Sequence, residues 1–159
     1  RSRSNLSLGL AWRWKSRACA MTFKYGKTSE ERLATCHPDL QLWARALLKV
    51  SDIDITVLAG HRNERDQMQA YYNKNTQLPW PKSKHNQQPS LAIDIAPWFP
   101  DRRVDWEFRP HFDYIAGQGR VVAKALGIGL RWGGDWDRDG DLKDNGWNDL
   151  VHWELLDAD

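Results

Sequence analysis

The spacing of apolar residues predicts most of the elements of the chain. The clearest helical pattern follows Pro38, a residue suited to the first turn of a helix. Its apolar positions recur every three or four residues and form one stripe: Leu40, Trp43, Ala44, Leu47 and Leu48. Runs rich in β-branched and apolar residues predict four short strands at 53–58, 91–95, 128–132 and 151–155. Further helices are predicted at 63–74 and 111–126, and a short one is predicted to open with a capping box of Thr28 and Glu31.

The order of these elements predicts the fold class. Helices come first, and the later strands are separated by loops and one helix, which is typical of an α+β domain. We therefore expect a single small domain with a mostly antiparallel sheet flanked by helices. Residues 75–90 contain three prolines and many polar side chains, so they predict a long loop. A loop of this length without secondary structure of its own is usually functional or disordered.

The positive charge of the chain is concentrated at its start. Residues 1–20 contain five basic residues and no acid, whereas the rest of the chain holds 18 basic and 21 acidic residues. We interpret residues 1–20 as an unstructured basic extension that is not native, and residues 21–159 as the catalytic domain, with Met21 as a suitable initiator. The alternative is a basic arm with two tryptophans that touches anionic membranes.

Composition excludes several classes of protein. The 159 residues suffice for one domain, and 41% hydrophobic with 28% charged residues argues against disorder. No apolar run approaches the length that crosses a bilayer, so we expect no transmembrane segment. The acidic balance after residue 20 argues against a nucleic-acid partner. Cys19 and Cys36 do not form a metal-binding pair. The ten tryptophans favour an aromatic-lined groove in addition to a core.

Candidate metal ligands lie at the edges of the predicted strands. His85 lies in the long loop, Asp94 in the strand that follows it, and His152 in the final strand. Two imidazoles and one carboxylate are a common catalytic Zn²⁺ set, which leaves a fourth position for water. Asp149 precedes His152 by three residues, at a turn into the strand, and is well placed to act as general base and then general acid.

Glu154 has two possible roles at such a site. Side chains alternate along a strand, so Glu154 shares a face with His152. It can orient His152 as a neighbour of the metal ligand, or it can be the base in place of Asp149. Taken singly, His85 and His152 also fit an ordinary loop histidine and a core histidine, and Asp94 fits the cap of a strand end.

An acidic segment raises the question of a second metal ion. Asp135, Asp137 and Asp139 occupy positions 1, 3 and 5 of an EF-hand-like loop, and Gly140 occupies position 6. Position 12 is Gly146 instead of glutamate, so the loop is not a regular EF-hand, although Asp144 is a possible substitute. Calcium binding by Asp135, Asp137, Asp139, Asp141 and Asp144 and a solvated acidic turn are equally consistent with this pattern.

The motifs together resemble a known family. Ser83-Lys84-His85, Ala92-Ile93-Asp94 and the pair Asp149 and His152 resemble the signature of the zinc peptidases that cleave peptidoglycan. These include D-Ala-D-Ala carboxypeptidases and phage L-alanyl-D-glutamate endopeptidases. Gly60-His61-Arg62 with Gln67 resembles a further segment of the family, and Met21–Gly26 resembles the start of the phage enzymes. His85 and Asp94 are nine positions apart where the family has seven, which puts the loop path beside His85 in question.

The resemblance implies a fold, an activity and roles for further residues. It implies a hedgehog or D-Ala-D-Ala peptidase-like domain that hydrolyses the L-Ala–D-Glu bond of the peptidoglycan stem peptide as a monomeric phage endolysin. Arg62 would bind substrate or the developing oxyanion, and Ser83 and Gln67 would support the ligands or the substrate. Such an enzyme is made in the host cytoplasm and acts on the wall in the periplasm or outside the cell. The alternatives are a carboxypeptidase of the same family and a muramidase-type glycosidase without a metal.

Overall fold

The computed structural model describes residues 23–144 and 146–156 of the chain. Two helices, α1 (Lys27–Leu33) and α2 (Pro38–Val50), precede strand β1 (Ile55–Ala59) and helix α3 (Glu64–Tyr72). Strand β2 (Ala92–Pro97) follows, then helix α4 (Arg109–Leu126) and strands β3 (Leu130–Trp132) and β4 (His152–Leu155). The predicted basic extension at residues 1–20 lies outside the described residues.

The strands form one antiparallel sheet in the order β1-β2-β4-β3. β4, the last strand of the chain, therefore lies between β2 and β3, and Asp94 faces His152 directly across the β2–β4 pair. This arrangement confirms the predicted α+β class with an antiparallel sheet and flanking helices. Among the described residues, no helix is long and apolar enough to cross a membrane.

The hydrophobic core lies between one face of the sheet and the helices α2 and α4. The stripe predicted on α2 is buried along its whole length. Trp43 from this stripe packs on Trp153 of β4, with ring centroids 4.8 Å apart, and its indole N–H donates to the carbonyl oxygen of Gly119 at 2.9 Å. A Cβ at Gly119 would lie 3.0 Å from both indoles. The absence of a side chain there lets α4 approach the two tryptophans.

The start of α1 differs from the prediction. The helix begins at Lys27, with Gly26 as its N-cap and no side-chain hydrogen bond to the cap, so the predicted capping box of Thr28 and Glu31 is wrong. Ser29 is engaged in tertiary contacts instead, because its hydroxyl accepts a hydrogen bond from the amide of Val57 at 3.1 Å. The first helix is thus fixed by its contact with β1 and not by a local cap.

Candidate active site and metal centre

Alternation along the strands divides core residues from site residues. Ile93, Ile95 and Trp153 belong to the hydrophobic core. Asp94, His152 and Glu154 occupy the alternate positions and therefore point to the opposite face of the sheet. On β3, Arg131 pairs with Glu154 on this same face. The sheet thus places four polar residues side by side away from the core.

His85 reaches this face from the long loop. It lies in a single turn of 3₁₀ helix, Lys84–Asn86, which is capped by Ser83 and Asn86 in a reciprocal capping box. Its ring is almost fully buried, and Nδ1 lies 2.7 Å from the carbonyl oxygen of Gly60. Because a carbonyl only accepts, Nδ1 carries a proton, which leaves Nε2 as the ring nitrogen that can bind a metal ion.

Three ligand atoms meet at one point. His85 Nε2 lies 3.0 Å from Asp94 Oδ1 and 3.2 Å from His152 Nδ1, and His152 Nδ1 lies 3.2 Å from Asp94 Oδ1. A tetrahedral metal ion at 2.0–2.1 Å from nitrogen and oxygen ligands needs them about 3.4 Å apart. The spacing of this buried group is therefore close to that of a metal site.

Each of these side chains is held by a further contact. The second ring nitrogen of His152, Nε2, lies 3.1 Å from Glu154 Oε2. Glu154 Oε1 in turn accepts hydrogen bonds from Arg131 Nε at 3.0 Å and Nη2 at 2.5 Å. Asp94 Oδ2 accepts a hydrogen bond from Arg62 Nη2. Contacts of this kind fix the orientation of metal ligands.

The charges of the cluster shift its pKa values in opposite directions. Burial lowers the pKa of His85. Burial acts to raise the pKa of Asp94, but the charge of His85 and the hydrogen bond from His152 hold it well below its usual value. Burial disfavours the protonated form of His152, yet its hydrogen bonds to Asp94 and Glu154 raise its pKa to about 9. A cation that binds here replaces the proton on His152, so its affinity rises with pH.

Asp149 lies beside the ligands. Burial, followed by the charge of Asp94, raises its pKa to about 6. Its amide donates to the carbonyl oxygen of Gly133 at 2.7 Å, and its own carbonyl oxygen accepts from the amide of His152 at 3.1 Å. A Cβ at Gly133 would lie only 2.5 Å from the carbonyl oxygen of Asp149. A glycine is thus required at 133 for this close approach of two backbone segments.

A cavity of about 380 Å³ opens over the cluster. His85, His152 and Asp149 line it, together with Arg62 and Ser83 from the sequence prediction. One wall is aromatic: the indoles of Trp136 and Trp147 stack with centroids 5.9 Å apart, and the Trp136 ring lies 5.5 Å from the ring of His152. This wall is the aromatic-lined groove that the tryptophan content predicted.

Gln67 occupies a supporting position and does not line the cavity. It is fully buried, and its Nε2 donates to the carbonyl oxygen of Leu78 at 2.6 Å while its Oε1 accepts from Asn86 Nδ2 at 3.3 Å. It therefore links α3 to the loop on both sides of His85, at Leu78 before it and at Asn86 after it. The role of Arg131 was not predicted from the sequence, because only the β3–β4 register pairs it with Glu154 and no local sequence pattern indicates that register.

The acidic loop brings together part of the predicted calcium set. Asp135, Asp137 and Asp139 each offer an oxygen within 4.8 Å of the others. Asp141 and Asp144 are not in this group. Desolvation, followed by the charges of the other carboxylates in the loop, raises the pKa of Asp144. Asp135 is buried and also accepts a hydrogen bond from Arg120 Nη2 at 2.5 Å. The loop therefore has a partly formed oxygen cluster, and calcium binding stays a prediction.

Comparison with known proteins assigns the chain to a family. The family model for phage L-alanyl-D-glutamate peptidases matches residues 21–156. The chain belongs to this family. It is 39% identical over 140 residues to the L-alanyl-D-glutamate peptidase of Escherichia phage T5, covering 86% of this chain and all of that protein. The fold matches the crystal structure of the L-Ala D-Glu endopeptidase ChiX of Serratia marcescens with a TM-score of 0.68 and 27% identity, covering 87% of this chain and 94% of that one.

As a member of this family the protein is a peptidase, which confirms the predicted resemblance and the peptidase part of the predicted enzyme class. In the loop between His85 and Asp94, Ser90 forms backbone hydrogen bonds with Thr35 and His37 at 2.9 and 2.8 Å. The loop is thereby anchored to the α1–α2 connection without displacing either side chain from the cluster.

Proposed function

We propose that this peptidase hydrolyses the L-Ala–D-Glu bond of the peptidoglycan stem peptide, with Zn²⁺ held by His85, Asp94 and His152. The observation that carries the proposal is the meeting of these three ligand atoms, 3.0–3.2 Å apart, at the base of the cavity that Asp149 lines. Two imidazoles and a carboxylate suit Zn²⁺ and leave one position open. The names of its relatives support the choice of bond.

The residues of the chain have distinct tasks in this reaction. Zn²⁺ held by His85, Asp94 and His152 would provide Lewis-acid chemistry, which lowers the pKa of water and polarises a carbonyl group. Asp149 accepts a proton from the attacking water and donates a proton to the amino group of the leaving D-Glu. Its pKa of about 6 suits both steps near neutral pH. Arg62 lines the same cavity and binds the substrate or the oxyanion that forms at the carbonyl.

The biological setting follows from the same proposal. The enzyme acts as a monomeric endolysin, is made in the host cytoplasm, and reaches the wall in the periplasm or outside the cell when the membrane is breached. Its macromolecular partner is the peptidoglycan stem peptide. A muramidase needs two carboxylates that flank a sugar, whereas Glu154 at this site is bound to His152 and Arg131.

Mass spectrometry of muropeptides after digestion tests the proposal. We expect fragments with a new amino terminus on D-Glu, and we expect a zinc chelator to abolish them. Loss of terminal D-Ala alone would indicate the carboxypeptidase, and new reducing sugar ends would indicate the glycosidase.

Two variants test the assigned roles. Asp149→Asn is expected to abolish turnover and to retain the metal, whereas His152→Ala is expected to lose both. Asp101→Asn, an exposed aspartate outside the cavity, serves as the matched control and should retain activity and metal. Full activity in Asp149→Asn would show that another group is the base.

A further inference from the structure

The rim of the cavity carries several cations, and most of them are already engaged. Arg62 donates to Asp94 through Nη2 and has the proposed role at the substrate or the oxyanion, and Arg131 binds Glu154. The Lys84 ammonium donates to the carbonyl oxygen of Leu155 at 2.5 Å and lies 3.7 Å from Glu154. Lys82 also lines the cavity. Among the described residues its ammonium has no hydrogen bond or ion pair, so its charge is available to a ligand.

The backbone at Lys82 is fixed although its side chain is exposed. Its amide donates to the carbonyl oxygen of Pro79 at 2.9 Å. The next residue, Ser83, caps the 3₁₀ turn that carries His85. On the other side, Gln67 holds the carbonyl oxygen of Leu78. Most exposed lysines interact only with water. Lys82, in contrast, extends from a segment whose backbone is held by hydrogen bonds, three residues before the candidate metal ligand His85.

The chemistry of the proposed substrate requires an anion in this cavity; this step rests on the proposed function. D-Glu in the stem peptide continues the chain through its γ-carboxyl group. Its α-carboxylate is therefore free, and it is attached to the carbon that carries the scissile nitrogen. When the scissile bond lies over the cluster, this carboxylate enters the cavity too, beside the acids Asp149 and Glu154. An unpaired cation there offsets the repulsion.

We propose that Lys82 binds the free α-carboxylate of D-Glu and makes the enzyme select stem peptides with this acid over those in which it is a carboxamide. The flexible side chain of lysine and its compact positive charge suit a contact that adjusts to the substrate at the rim of the cavity. Lys82 is then a specificity-determining residue, separate from the groups that hold the metal or move protons.

Two muropeptides that differ only in this group, free acid and carboxamide, test the inference. For the unaltered enzyme we expect kcat/KM to be about fivefold higher for the acid, the upper end for an exposed ion pair. Lys82→Met should reduce the ratio of the two kcat/KM values to about one, mainly through KM for the acid, and Lys82→Arg should retain the preference. High salt should weaken it, because the contact is exposed.

Controls separate this inference from the proposed function. Lys49→Met alters an exposed lysine on α2 and should leave both values unchanged. An equal kcat/KM for the two peptides in the unaltered enzyme, or a ratio that Lys82→Met does not change, would overturn the inference while leaving the peptidase activity established. Absence of cleavage of either peptide, with another bond cut in whole peptidoglycan, would overturn the proposed function itself.

Discussion

The contact between Glu154 and His152 gives the most direct test of how the site is built. Glu154 is buried, with 6% of its surface exposed. One of its oxygens accepts from His152, and the other accepts from Arg131. Glutamine at this position has one acceptor oxygen, so in Glu154→Gln either the imidazole or the guanidinium faces an NH₂ group.

The cost of this change can be worked out from these contacts. Loss of one hydrogen bond between charged groups is worth about 1.5–3 kcal/mol. A neighbour of a metal ligand typically contributes about 10–100-fold to metal affinity, which is the same range of free energy. We therefore expect Glu154→Gln to weaken Zn²⁺ binding by about 10–100-fold, measured by competition with a chelating dye, and to retain turnover at saturating Zn²⁺.

Glu30→Gln is the matched control. Glu30 also forms a bidentate pair with an arginine, at 2.8 and 2.6 Å from Arg45, but it lies on the surface. An exposed pair contributes about 0–1 kcal/mol, and we expect no change in metal affinity. If Glu154→Gln binds Zn²⁺ normally and yet loses turnover, Glu154 is the base and its positioning role is refuted.

The same contact predicts a pH dependence of the metal-free protein. Burial acts to raise the pKa of Glu154, but hydrogen bonds from His152 and Arg131 lower it to about 2. A lowered pKa in the folded state contributes stability that is present above the unfolded pKa near 4.5 and is lost as the pH falls toward 2. In denaturant titrations Glu154 should contribute about 3 kcal/mol to the loss of stability over this window, and the loss should be smaller in Glu154→Gln. An equal slope in both proteins would contradict the assignment.

Three further predictions concern other parts of the molecule. Gly133→Ala should lower the free energy of unfolding by about 1–3 kcal/mol in thermal melts and reduce kcat, because the new Cβ would collide with the backbone of Asp149. Gly117→Ala is the control: a Cβ at this position of α4 meets open space, so the change should be neutral or stabilising. Burial raises the pKa of Cys36 to about 12, so with the second cysteine replaced by serine this thiol should resist iodoacetamide at pH 8 until the protein is unfolded. Isothermal titration with Ca²⁺ should give a binding heat that Asp137→Asn diminishes; absence of heat in the unaltered protein would assign the acidic loop as a solvated turn.

The sequence predicted those features of the site that depend on local pattern. Alternation along a strand predicted that Glu154 shares a face with His152, and the two side chains are in contact at 3.1 Å. The family signature then linked His85 to Asp94 and His152 across the loop. The start of helix α2 and its buried stripe were predicted because the stripe is long and regular.

Features that depend on tertiary contacts could not be predicted. The pairing of Arg131 with Glu154 needs the strand register, and the requirement for glycine at 133 arises from a backbone segment sixteen residues farther along the chain. The start of β1 was also misplaced, because Asp54 accepts a hydrogen bond from the amide of Ile55 at 2.8 Å and the strand begins only after it. No short window of sequence contains the partners of Arg131 and Gly133.

The direct pairing of Asp94 with His152 across two neighbouring strands has a practical consequence. Slipping β4 by a single residue would turn His152 toward the core and bring Trp153 to the outer face. Molecules that refold with such an error are compact, yet they lack a complete ligand set. The rate of stem-peptide hydrolysis per mole of refolded protein therefore reports the fraction of molecules in which β4 has its native register.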